Sequence, residues 1–248
     1  MAHVTIRDPD VELDEPTLVE GLPGVGLVGK IATDHLVDTL DMTYYASVDE
    51  CEGLPRIAMY GEGDYEVRPP VRVYADEQRD LLALQSDVPV DQEAASEFAT
   101  CITDWLNERD VTPIYLSGLP TEEKATPPEL FGIACGDGAD LLEEIEVDRP
   151  PEAGVVSGPT GALLSRAAQR NRNAVGFVVQ SNARFPDPEA ARILLKDGVG
   201  PIADLDVPLD DLVDQADQIR DAKEQLAEQM QQAAEEKSTQ AKPLRMYQ

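Results

Sequence analysis

The sequence predicts an α/β fold: a mainly parallel sheet flanked by helices, followed by a long C-terminal helix and a flexible tail. Three observations lead there. Through the first 205 residues, apolar segments of strand length alternate with segments of helical periodicity. Several strand segments, such as Val175–Gln180, stay apolar without alternation, as strands covered on both faces require. From Leu209 to Lys237 glycine and proline then disappear, and apolar residues recur every three or four positions. The expected organisation is therefore an α/β domain over 1–205, an amphipathic helix over 206–237 and a tail over 238–248.

The elements follow in order. Thr17–Glu20 is a short strand that runs into a glycine-rich turn. Between Gly26 and Leu40 the residues Leu27, Val28, Ile31, Leu36, Val37 and Leu40 fall at helical spacing. Thr43–Val48, Arg56–Tyr60, Val71–Ala75 and Leu81–Gln85 read as strands separated by Gly, Asp and Pro turns. Asp91–Arg109 is an amphipathic helix opening on an Asp cap, with Phe98, Ile102, Trp105 and Leu106 on one face. Pro113–Leu116 and Phe131–Cys135 are further strands. Val155–Val156 leads through Gly158-Pro159-Thr160-Gly161 into a helix near Ala162–Gln169, and Asp187-Pro188 starts a helix reaching about Lys196. The C-terminal seam comprises Leu209, Leu212, Ala216, Ile219, Leu226, Met230 and Ala233, with Lys223 interrupting. It can pack on its own domain or pair with other copies; self-association is the reading preferred here.

Charge excludes several function classes. The 248 residues carry 49 acidic and 20 basic side chains, a formal charge of −29 spread along the whole chain. Only six of the basic residues are lysines. A solvated acidic surface of this kind suits a protein working at high salt. An apolar share of 42%, with apolar runs within Asp80–Gln85 and Val175–Val179, argues for a core and against disorder. No basic stretch exceeds the mild one at Arg166–Arg172, too little to displace counterions from phosphates, so nucleic acid is not an expected partner. Cys51, Cys101 and Cys135 are far apart, and only His3 and His35 add imidazole, so no zinc site is expected and the cysteines read as reduced and buried. The opening MAHVTIRDPD does not pattern as a secretion signal, and no apolar stretch is long enough to span a bilayer. The expected location is the cytoplasm.

Four motifs could carry function. In Glu20–Lys30, Gly24, Gly26 and Gly29 form GxGxxG between a strand and a helix, with Asp49 twenty residues beyond Gly29 at the end of the next strand. That spacing fits a dinucleotide site, with pyrophosphate on the helix N-terminus and Asp49 on ribose. It equally fits a tight turn that lets the helix pack closely. A Walker reading of Gly24-x-x-x-x-Gly29-Lys30 fails because Ile31 stands where a magnesium-binding hydroxyl belongs. Gly158-Pro159-Thr160-Gly161 is a second turn and cap that could also receive an anion. For catalysis there is neither GxSxG nor HExxH, and His35 falls on the apolar side of its helix, where a packed role is the simpler one. Last, the chain closes on Met246-Tyr247-Gln248, a hydrophobic residue, tyrosine and a final residue. This ending is a docking signal for pockets between the α subunits of the proteasome 20S core. The carboxylate pairs with a pocket lysine while the tyrosine packs.

Together these segments resemble the archaeal proteasome-assembly-chaperone family, related to eukaryotic proteasome assembly chaperone 2. Gly21-Leu22-Pro23-Gly24-Val25-Gly26-Leu27-Val28-Gly29-Lys30 is similar to that family's opening turn. Ser157-Gly158 through Gly161-Ala162-Leu163-Leu164 resembles its internal glycine turn, and Phe185-Pro186-Asp187-Pro188-Glu189-Ala190-Ala191 its later helix start. The resemblance implies a phosphorylase-like α/β sandwich, homo-oligomerisation, no cofactor and no catalytic residues. It makes Gly21, Pro23, Gly24, Gly26, Gly29, Lys30, Gly158, Gly161, Asp187 and Pro188 structural. Family members have been labelled ATP-grasp ligases by analogy, but no magnesium-binding constellation supports that label here. The expectation is a chaperone or adaptor that docks on the proteasome α ring through Met246, Tyr247 and Gln248. A nucleotide-binding enzyme using Gly24, Gly26, Gly29 and Asp49, and a purely structural oligomer, are the competing readings.

Overall fold

The computed structural model describes residues 3–49, 54, 57–60, 65–121, 125–212 and 214. Ten strands are present: β1 (His3–Ile6), β2 (Thr17–Gly21), β3 (Thr43–Asp49), β4 (Met59–Tyr60), β5 (Val67–Arg68), β6 (Val71–Asp76), β7 (Leu81–Ser86), β8 (Thr112–Pro120), β9 (Leu130–Cys135) and β10 (Ala174–Ser181). Helices are α1 (Val28–Thr39), α2 (Ala95–Asn107), α3 (Gly138–Glu144), α4 (Gly158–Gln169), α5 (Pro188–Ile193) and α6 (Gly200–Ala203). A 3-10 turn at Val25–Leu27 precedes α1, and a π-helical stretch, Leu194–Val199, joins α5 to α6.

Eight strands form one sheet in the order β1-β3-β6-β7-β2-β8-β10-β9, and β4 and β5 pair as a separate hairpin. The parallel part is the central block β7-β2-β8-β10. Antiparallel strands extend it on both sides, β6, β3 and β1 on one and β9 on the other. The fold class is the expected one, and its parallel character is concentrated where helices cover both faces. Of the strand expected over Arg56–Tyr60, Met59–Tyr60 forms, Ile57 and Ala58 lie before it, and Arg56 is outside the described residues; the strand expected over Pro113–Leu116 runs from Thr112 to Pro120.

Two apolar layers sandwich the sheet. On one face α2 and α4 pack over Leu18, Val73, Leu82, Leu84 and Tyr115. On the other, α1, α3 and α5 cover Val19, Ala83, Ile114, Val175 and Phe177. Alternation along β2 makes the division visible, since Leu18 and Val19 are both fully buried but in opposite layers. Each such leucine or phenylalanine contributes roughly 1.5–3 kcal/mol by leaving water. Helix α1 buries Val28, Ala32 and Leu36, spaced by four, together with Gly29 and Thr33.

Three expectations need correction. The helix expected to open at Asp91 starts at Ala95. Residues 92–94 form a turn, and no side chain caps the helix. Cys101 and Cys135 are half-buried rather than fully buried, and Cys51 lies outside the described residues. Leu209 and Leu212, the first two seam positions, pack on this domain itself. Leu212 is buried in the α1 layer, and His35 Nε2 donates to the Pro208 carbonyl at 2.7 Å. The rest of the seam, from Ala216, and the tail with Met246, Tyr247 and Gln248, lie outside the described residues. Among the described residues no helix is long and apolar enough to cross a membrane.

Candidate functional site at the ends of the parallel strands

Strands β2, β8 and β10 lie side by side and parallel, so their C-terminal ends open at the same edge of the sheet. In open α/β sheets this is where ligands usually bind. The three segments that carried the family resemblance meet here, although about 130 residues separate the first from the second.

Glu20 is the junction. It is the penultimate residue of β2, fully buried, and ends a run of apolar neighbours. Its Oε1 accepts from the Leu22 N–H at 3.1 Å and from the Thr160 hydroxyl at 3.0 Å, while Oε2 accepts from the Leu116 N–H at 3.2 Å. One carboxylate therefore ties the glycine turn after β2, the N-terminus of α4 and strand β8. Burial pushes its pKa up to about 7, against the lowering effect of the Leu116, Leu22 and Thr160 hydrogen bonds. Sequence reading passed over Glu20, although an acid inside Leu-Val-Glu-Gly at the end of a buried strand was the available signal.

A second tie joins the first and third segments. The Asp187 N–H donates to the Gly26 carbonyl at 2.8 Å. Asp187 caps α5 by accepting from the Ala190 N–H, as its place before Pro188 predicts, and its other oxygen accepts from the Asn182 N–H at 3.0 Å and the Ser181 hydroxyl at 3.4 Å. Gly26 adopts φ +63°, and a Cβ there would lie 1.9 Å from Ser181 Oγ. A Cβ at Gly29 would meet Leu116 at 3.3 Å, so α1 sits close on β8. Gly24 differs, with its nearest neighbour 4.0 Å away. At Gly158 φ is +68°, and at Gly161 a Cβ would lie 2.2 Å from the Val156 carbonyl oxygen. Protein atoms, not open space, therefore occupy the positions that Gly26, Gly29 and Gly161 leave free.

The nucleotide reading of the same turn does not match this geometry. Lys30 Nζ is engaged by Asp34 at 2.8 Å and by Asp87 at 3.4 Å. Asp49 ends β3, which is separated from β2 by β6 and β7. Three strand spacings are on the order of 14 Å, whereas a dinucleotide site needs its acid on the adjacent strand. His35 is packed, as its position on the helix predicts. Among the described residues no group of three or more His, Cys, Asp or Glu is placed to hold a metal ion.

Away from this edge, a cleft of about 260 Å³ lies beside the β4–β5 hairpin, lined by Met59, Tyr60, Glu66, Arg68, Arg72, Tyr74 and Asp87. Arg72 is nearly buried, bonded to Asp87 at 2.5 Å, to the Tyr74 hydroxyl at 3.1 Å and to the Pro69 carbonyl at 2.9 Å. Its charge is thus already matched within the fold.

Comparison with known proteins agrees with this arrangement of strands and turns. The fold is similar to that of PbaA from Pyrococcus furiosus, described as an archaeal homolog of proteasome-assembly chaperone. The TM-score is 0.78 and identity 25%, covering 94% of this chain and 100% of that one. PbaB from the same organism, described as an archaeal proteasome activator, shares the fold at a TM-score of 0.76 and 23% identity, over 91% of this chain and 98% of that one. A protein of Methanocaldococcus jannaschii, MJ0106, itself uncharacterized, is 28% identical over 197 residues, 77% of each chain. The model of the PAC2 family matches residues 18–227, a span containing all three converging segments, and the chain belongs to that family.

Proposed function

We propose that this protein is a non-enzymatic chaperone or adaptor of proteasome assembly that works in the cytoplasm, self-associates, and docks on the α subunits of the 20S core through Met246, Tyr247 and Gln248. The observation that carries the reading is the end-to-end likeness to PbaA, a homolog of proteasome-assembly chaperone. The chain's own ending supplies the contact, and physical chemistry favours it. Tyrosine buries a large area at low entropic cost, and a terminal carboxylate makes a charge-assisted bond to a lysine. Neither depends on long-range attraction, which an acidic protein at high salt cannot use. Several tails on one oligomer would then act together.

In this reading the glycine turns are structural. Gly21, Pro23, Gly24, Gly26, Gly29 and Lys30 form the corner from β2 into α1, Gly158 and Gly161 the start of α4, and Asp187 with Pro188 the start of α5. The filled Cβ positions of Gly21, Gly26, Gly29 and Gly161, and the ties through Glu20 and Asp187, support packing over ligand binding, while a Cβ at Gly24 or Gly158 would meet nothing closer than 4.0 Å.

The test is capture of purified 20S core at molar salt by three proteins: the full chain, Tyr247→Ala, and a form lacking the last three residues. The full chain should retain the core and the other two should lose it. Equal capture by all three would move the contact off the tail.

A further inference from the structure

Glu20 is fully buried at the end of β2, and the first turn of α4 closes over it with Thr160. The chain leading to that turn is thinly held. Asp148 is fixed, since its carbonyl accepts from the Gly132 N–H at 2.9 Å, and Leu163 is fully buried in the α4 layer. Between these anchors Pro151–Val155 are exposed, Val155 at 92%. A Cβ at Gly154 or Gly158 would meet nothing within 4 Å, and Ser157 makes no side-chain cap bond. A Cβ at Gly161 would lie 2.2 Å from the Val156 carbonyl oxygen, so the approach and the first turn of α4 pack as one piece. Among the described residues a single hydrogen bond ties 150–160 to the sheet, from the Thr160 hydroxyl to Glu20 Oε1 at 3.0 Å.

From these observations we infer that residues 150–160 are a strap over Glu20 that a proton keeps shut: it stays seated while Glu20 is protonated, and lifts when Glu20 ionises so that the carboxylate reaches water. Protonation does not cut the tie. The N–H groups of Leu22 and Leu116 can only donate, but the Thr160 hydroxyl can turn and accept from the protonated acid. Ionisation leaves a buried charge with no cation beside it. Leu84 on β7 and Tyr115 on β8 flank Glu20 in register, and residues 21–29 and 153–165 carry no charged side chain. Tyr115 stays neutral, because burial first and Glu20 second push its hydroxyl up; Arg172 and Cys135 act on that hydroxyl. The three donors favour the anion, but burial outweighs them. The charge is relieved by water, and the least costly route to water moves the segment held by one bond. From pH 5 to 7.5 a carboxyl with a pKa of about 7 when covered and about 4.5 in water shifts the opening equilibrium about sixtyfold.

The test is amide hydrogen exchange of the full chain at molar salt, from pH 5 to 7.5, corrected for the intrinsic pH dependence of exchange. Peptides covering 150–165 report the strap, and peptides from β2 and β8 report global unfolding. Protection of Gly161 and Ala162 should fall about sixtyfold over this range in the wild type, and mild urea should not alter it, as for a local opening. In Glu20→Gln the same protection should not vary with pH. Thr160→Val should exchange about fivefold faster at pH 5, since its tie is gone, whereas Thr160→Ser keeps the hydroxyl and should follow the wild type. The carboxyl of Glu20, followed by carbon-13 NMR, should titrate near 7, a readout that needs no variant. Strap protection that is flat with pH in the wild type, or that falls equally in Glu20→Gln, would overturn the inference. So would a strap that opens only together with β2 and β8, equal exchange in the two Thr160 variants, or a Glu20 carboxyl that titrates near 4.5.

Discussion

At the scale of single residues, Glu20 carries the sharpest consequence. Its carboxylate is fully buried, has donors on three elements, and has its pKa raised to about 7 from 4.5 by burial. The proton is therefore held more tightly in the fold than in the unfolded chain. The resulting stability is fully present below pH 4.5, is lost as pH rises from there to about 7, and stays lost above. A shift of that size is worth about 3 kcal/mol. Forty-eight other acids titrate in the same chain, so the absolute stability curve will not isolate Glu20, but the difference from Glu20→Gln will. The amide cannot titrate, and its NH2 group turns a donor toward the donors of Leu22, Leu116 or Thr160, a penalty that does not vary with pH. The wild type should accordingly lose about 3 kcal/mol relative to the variant between pH 4.5 and 7.5, read from urea unfolding at constant molar salt. A difference that stays flat across that range would mean that Glu20 ionises like an exposed carboxylate.

At the scale of elements, the legible ones were those whose pattern is local. Helix α1 was readable because Leu27, Val28, Ile31, Leu36, Val37 and Leu40 fall at helical spacing, of which Val28 and Leu36 are buried, and β7 and β10 because their apolar runs are unbroken. Strand β1 was missed because its polar–apolar alternation, His3-Val4-Thr5-Ile6, runs for only four residues, the shortest length at which a strand period shows, and α3 because Leu141 and Leu142 sit alone in an acidic stretch. The antiparallel flanks were illegible for a different reason: burial on both faces fixes a strand's composition and not its direction. Of the candidate site, the three glycine and Asp-Pro segments were visible as motifs. Their meeting point was not, because Glu20 and Thr160 are 140 residues apart and nothing local pairs them. The seam shows the same limit. Periodicity placed Leu209 and Leu212 on one stripe but could not say what the stripe faces, and both face this domain. Leu212→Ala should therefore destabilise the domain by about 2–4 kcal/mol through the cavity it leaves beside α1. Truncation after Leu205, which removes Leu209 and Leu212, should lower the melting temperature. A chain cut at Leu205 that melts like the full protein would show that Leu212 packs only incidentally.

At the scale of the whole molecule, the distribution of charge decides how the fold responds to salt. Among the described residues the buried carboxylates are Glu20, Asp76 and Asp187, so their other acids reach water, where mutual repulsion opposes compactness. Salt acts on two opposing sets of interactions. It weakens attraction within surface ion pairs, but Arg149–Glu143 and Arg170–Asp104 are exposed and each is worth at most about 1 kcal/mol. It weakens repulsion among the remaining acids over a much longer range, because the screening length contracts from roughly 10 Å at 0.1 M to 3 Å at 1 M. Arg72 with Asp87 is shielded by burial and should respond little. With 49 acids against 20 bases the repulsive set outnumbers the attractive one, so salt should stabilise this protein. The melting temperature followed by circular dichroism should fall steadily as sodium chloride is reduced from molar to tens of millimolar, and helical signal should be lost at the low end. Potassium chloride should substitute for sodium chloride at equal ionic strength, since screening depends on charge and not on the cation. A melting temperature that is flat over this range would mean that the acidic surface is tolerated without salt, and adaptation to high ionic strength would have to be abandoned.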